Sequence, residues 1–75
     1  MKQEFFEEYR QLGLNICFFR KNKGYTQMQL ADKLGLDLTH ISKIELCKGA
    51  PSLDVLFAIA RELDIPVAKL FDFRG

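Results

Sequence analysis

The sequence contains no tryptophan, one histidine, two prolines and two cysteines among its 75 residues, and neither sign of charge dominates it. Each scarcity excludes a class of function. Cys17 and Cys47 show no C-x-x-C spacing, and with His40 they make too few ligands for a zinc site, which needs three or four. A disulfide-held secreted scaffold of this size would carry more cysteine. The longest stretch without a charge, Gln11 to Phe19, falls far short of the roughly 20 apolar residues that cross a bilayer. Glu4, Glu7 and Glu8 interrupt any apolar run near the N-terminus, so no signal peptide is read there and a reduced, cytoplasmic protein without membrane contact is expected. No nucleophile–base pair, carboxylate pair or phosphate loop stands out, so neither an enzymatic activity nor a cofactor is expected. No segment alternates with period two, and no strand is expected.

What is present is apolar and helical in pattern. A hydrophobic fraction of 48% with seven phenylalanines argues for an ordered fold with a small core, and the length suits one domain over residues 1–75. Phe5, Tyr9, Leu12, Ile16 and Phe19 recur at steps of four and three, predicting a first helix over Gln3 to Asn22. Gly24 suits the left-handed position after it. Thr26 and Gln29 have the order of a capping box, opening a second helix over Gln27 to Leu34 that turns Met28 or Leu30, Ala31 and Leu34 inward and closes at Gly35. Asp37 is the expected N-cap of a third helix, Leu38 to Leu46, with Ile41 and Ile44 inward and Leu38 or Glu45 beside them. After the Lys48–Pro51 loop, Ser52 caps a fourth helix reaching about Leu63 on Leu53, Leu56, Ile59, Ala60 and Leu63, and Pro66 opens a fifth ending near Phe71. The fold class expected is all-α. The short glycine-bearing link between helices two and three is the sequence form of a helix-turn-helix.

Charge is uneven along this layout. Residues 1–15 and 51–75 each carry a net charge of −1. Residues 16–50 hold Arg20, Lys21, Lys23, Lys33, Lys43 and Lys48 against Asp32, Asp37 and Glu45, a net +3. The positive excess therefore coincides with the helix-turn-helix segment, as a face that meets phosphates requires.

The run from Arg20 through Gly24, Thr26-Gln27, Leu30-Ala31 and Leu34-Gly35, followed by His40-Ile41-Ser42-Lys43-Ile44-Glu45, Pro51-Ser52-Leu53, Leu56, Ile59-Ala60, Leu63 and Leu70-Phe71, resembles the Cro-and-repressor-type (XRE-family) helix-turn-helix. The match covers about residues 12–71, with residues 1–11 as an N-terminal extension of the first helix. The resemblance implies a compact five-helix, lambda-repressor-like domain that binds a palindromic operator in double-stranded DNA as a homodimer, usually as a repressor. It implies base reading by Leu38, Thr39 and Lys43. Backbone contacts would come from Gln27, His40, Ser42, Lys48 and Lys23, and a buried ion pair from Arg20 and Glu45. Two positions depart from the pattern. Cys47 stands where the family usually has glycine, which leaves open how the third helix ends, and Leu38 is apolar where the first reading position is more often polar.

Leu14 and Phe18 are four residues apart and lie on the side of the first helix opposite Ile16, a second apolar stripe. Together with Leu70, Phe71 and Phe73 they are the expected homodimer contacts. The competing expectation for the stripe is that the N-terminal extension folds back over it. The alternative for the whole chain is a protein-interaction module of the same fold, antitoxin-like or partner-binding, with weak or no DNA binding.

Overall fold

The computed structural model describes residues 3–73, all of whose regular structure is helical. Four α-helices run Phe6–Lys23 (α1), Gln27–Leu34 (α2), Leu38–Glu45 (α3) and Leu53–Glu62 (α4). Short 3-10 helices precede and follow them at Gln3–Phe5 and Val67–Phe71. The expected fifth helix is thus a 3-10 segment and not a fifth α-helix, and the start of the expected first helix is likewise a 3-10 turn.

Local chemistry sets the boundaries. Thr26 accepts the Gln29 N–H while Gln29 accepts the Thr26 N–H, closing the capping box of α2, and the Ser52 hydroxyl accepts the Val55 N–H at the start of α4. Asp37 is the N-cap residue of α3 but makes no side-chain capping bond. The four helices end alike. In each, the residue after the last turn lies in the left-handed region and two successive N–H groups bond back to orphaned carbonyls, as in Lys48 to Lys43 at 2.8 Å and Cys47 to Ile44 at 3.2 Å. Glycine takes the left-handed residue after α1 (Gly24, φ 89°) and α2 (Gly35, φ 68°). After α3 and α4 the position falls to Cys47 (φ 51°) and Asp64 (φ 59°), so α3 stops at Glu45 with the usual geometry on an unusual residue.

The core is formed by Leu12 and Ile16 of α1, Leu30 and Ala31 of α2, Ile41 and Ile44 of α3, Leu56, Ile59 and Ala60 of α4, then Leu63 and Leu70. Leu70 has 0% exposure, which corrects its expected place in a dimer contact: its side chain is spent inside the chain, where full burial is worth about 1.5–3 kcal/mol. Phe5, Met28, Leu38 and Leu53 are exposed, so the inward row of α2 runs through Leu30 and that of α4 begins at Leu56. The C-terminal segment is tied to α1 by Asn15, whose Nδ2 donates to the carbonyls of Leu70 (2.9 Å) and Asp72 (3.0 Å).

On its other flank α1 meets α3 through Gly13. A Cβ on this residue would lie 2.8 Å from the carbonyl oxygens of both Ile44 and Glu45. Only glycine permits that approach, because the contact is with rigid backbone. Gly13 therefore sets the seat of α3 against α1, a role that no periodic pattern signals.

Candidate nucleic-acid interface

The position of α3 is fixed from behind by a polar hub. Arg20, near the end of α1, donates from Nε to Glu45 Oε2 at 2.7 Å and from Nη2 to Glu45 Oε1 at 3.1 Å, while Nη1 donates to the Tyr25 carbonyl at 2.8 Å. Both side chains of the pair are more than nine-tenths buried. The hydrogen bond to Glu45 holds the Arg20 guanidinium above its ordinary pKa, against the opposing effect of burial, so it is charged at any working pH. Gln27, the first residue of α2, donates from Nε2 to Glu45 Oε1 at 3.0 Å. The Tyr25 hydroxyl donates to Glu62 on α4 at 2.9 Å, which raises the Tyr25 pKa. One carboxylate thus joins the end of α3 to α1 and α2, and Tyr25 extends the linkage to α4.

In front of this hub α3 presents its outer surface. Leu38, Thr39, His40 and Lys43 are exposed, and Ser42 is half-buried. Helical spacing puts Leu38, Ser42 and Leu46 in one row and Thr39 and Lys43 in the next. Leu46, 57% exposed, carries no sequence signal of its own and adds an apolar group to the face that Leu38 begins at 41%. Such a surface offers one cationic donor, two hydroxyls and two apolar groups that can meet a thymine methyl. Lys23 and Lys48 are exposed beyond the two ends of the helix-turn-helix. Gln27 is half-buried, and the structure places its amide on Glu45.

Two helices of eight residues each, joined through Gly35 and a short turn, with the second projecting a polar and basic face, form a helix-turn-helix. A family model described as helix-turn-helix matches residues 19–70. The chain belongs to the helix-turn-helix family of Cro/repressor type. Within that family it is 36% identical over 62 residues to the HTH-type transcriptional regulator SinR of Bacillus subtilis (strain 168), covering 81% of this chain and 56% of SinR. It is 37% identical over 59 residues to the immunity repressor protein of Bacillus phage phi105, covering 79% of this chain and 41% of that repressor. The chain thus spans about half the length of these relatives. Its fold superposes with a TM-score of 0.84 on the restriction-modification controller protein C.AhdI from Aeromonas hydrophila, at 29% identity, covering 88% of this chain and 100% of that one. These helix-turn-helix relatives are transcriptional regulators, not enzymes. Among the described residues, no helix is long and apolar enough to cross a membrane.

Proposed function

We propose that this helix-turn-helix protein is a sequence-specific DNA-binding regulator, acting as a repressor on a palindromic operator as a homodimer. The observation that carries the reading is the exposed Thr39–Lys43 row on a helix whose far end is locked by the buried Arg20–Glu45 pair. Lys43 donates to guanine O6 or N7, Thr39 hydrogen-bonds a base edge, and Leu38 makes apolar contact with a thymine methyl. Lys23, Lys48, His40 and Ser42 meet the phosphate backbone. Gln27 contributes by bracing Glu45 and by its place at the start of α2, where unpaired N–H groups favour an anion. The homodimer is built on exposed Phe71 and Phe73, with Leu14 and Phe18 as a second contact.

Selection of bound sequences from random duplex DNA at physiological salt tests the reading. A palindrome with half-sites about one helical turn apart is expected. Thr39→Ala with Lys43→Ala is expected to erase the selected preference while leaving the melting temperature within a few degrees. No enrichment by the wild-type chain overturns the DNA-binding reading in favour of a protein-interaction module, for which the apolar pair Leu38 and Leu46 would then form the contact.

A further inference from the structure

We infer that α1 docks antiparallel on α1 of a second copy of the chain, through the row Glu7, Gln11, Leu14, Phe18 and Lys21. This rests on the homodimer reading and specifies one of its contacts. The five residues follow each other at steps of four, three, four and three, the spacing of a seam between paired helices. Much of the rest of α1 is engaged within the chain. Leu12, Ile16 and Arg20 face the core, Gly13 seats α3, and Asn15 holds the C-terminal segment. On the remaining side Leu14 is 47% and Phe18 62% exposed, while Phe73 of the C-terminal segment lies beside Glu7 and Gln11 at its N-terminal end. Directly before α1, Gln3–Phe5 form a 3-10 turn. The rings of Phe18 and Phe19 meet nearly at right angles, with centroids 5.0 Å apart.

Charge selects both the occupant and its direction. The first turn of α1 carries Glu7 and Glu8, and the last turn carries Arg20, Lys21 and Lys23. Parallel pairing sets like charges together. Antiparallel pairing that lays Leu14 and Phe18 of one copy on Phe18 and Leu14 of the second sets Gln11 opposite Lys21 and brings Glu7 within about one helical turn of the second copy's Lys21. It also opposes the two helix dipoles favourably. A second copy carries the complementary pattern by two-fold symmetry. Glu7 is paired with Arg10 at 3.1 Å within the chain, but that pair is exposed and exchanges partners at little cost. Two apolar side chains per copy cover much less than the roughly 1,200 Å² of a stable interface. The seam therefore fastens copies already held close by another contact, where the effective concentration is on the order of millimolar.

Sedimentation equilibrium of the full chain, up to about 1 mM, tests the seam. Leu14→Ser with Phe18→Ser changes exposed positions and is expected to weaken self-association roughly tenfold or more, while the monomer keeps its helical content and a cooperative melt lowered only by serine's poorer helix propensity and the lost Phe18–Phe19 ring contact. Glu7→Lys and Lys21→Glu are each expected to weaken it, and the two together to restore it. A wild-type chain that stays monomeric overturns the homodimer reading along with the seam. If the wild type associates and the serine variant associates equally well, the seam alone is overturned. Loss in the serine variant without rescue by the double charge reversal overturns the antiparallel arrangement.

Discussion

Cys47 holds a backbone conformation that favours glycine. Its φ of 51° crowds Cβ against the carbonyl, at a cost of about 1–2 kcal/mol for an L-residue, while the N–H groups of Cys47 and Lys48 still close the end of α3. Cys47→Gly removes that strain but gives the unfolded chain extra freedom, about 0.5–1 kcal/mol. The balance favours the variant by up to about 1.5 kcal/mol, an upward shift of up to roughly 12 °C for a domain of this size, measurable by thermal melting. Arg20 and Glu45 are the opposite kind of residue, since their native contacts are good and what matters is the state left by losing one. Glu45→Leu alone leaves the buried guanidinium unpaired and is expected to cost about 3–5 kcal/mol. Adding Arg20→Met removes the orphaned charge, so the double variant is expected to melt above the single one. A double variant no more stable than Glu45→Leu would contradict the claim that burial of the unpaired charge dominates the loss.

At the scale of elements, the boundaries legible in the sequence are those written in local chemistry. The α2 limits at Gln27 and Leu34 follow from Thr26, Gln29 and Gly35, all within a turn of the ends they define. The C-terminal segment was not legible for the converse reason. Asn15 captures the carbonyls of Leu70 and Asp72 from 55 and 57 residues away, a contact to the end of the 3-10 segment that no local pattern encodes. Periodicity also could not separate Met28 from Leu30 or discard Leu53 and Phe5, because apolar residues lie on more than one side of these helices. In the candidate interface, the outward row of α3 and the Arg20–Glu45 pairing came from the resemblance. The bond from Gln27 to Glu45 and the backbone contact at Gly13 leave no spacing to read. Gly13 supplies the element-level prediction. In an ordinary helix interior Gly→Ala is stabilising by up to about 1 kcal/mol. Here the added methyl meets two carbonyl oxygens at 2.8 Å, overpacking costs about 1–3 kcal/mol, and the clash prevails. Gly13→Ala is expected to lower the melting temperature and, by pushing α3 from its seat, to weaken DNA binding beyond what the stability loss explains; a stabilised variant with unchanged binding would refute the role given to this contact.

For the whole molecule, one core carries the proposed reading face of α3 and the outer side of α1, and the C-terminal Phe73 borders the latter beside Glu7 and Gln11. Under the proposed function, DNA contact and self-association occur together, and the salt dependence of binding tests whether they do. Each phosphate neutralised contributes about −0.9 to the slope of log affinity against log salt on duplex DNA. Lys48 is exposed just beyond α3 and is assigned one phosphate contact per copy. If one copy binds, Lys48→Ala lowers the magnitude of the slope by about 0.9; if two copies bind a palindrome together, the loss is about 1.8. Because a phosphate contact carries no base information, the variant is also expected to weaken operator and random duplexes by a similar factor, leaving their ratio unchanged. Titrations of a fluorescent duplex at several salt concentrations give both numbers. A change near 1.8 with a constant ratio supports two copies on the operator and Lys48 on the backbone, a change near 0.9 limits binding to one copy, and a ratio that shifts with the substitution would move Lys48 from the backbone to the base edges.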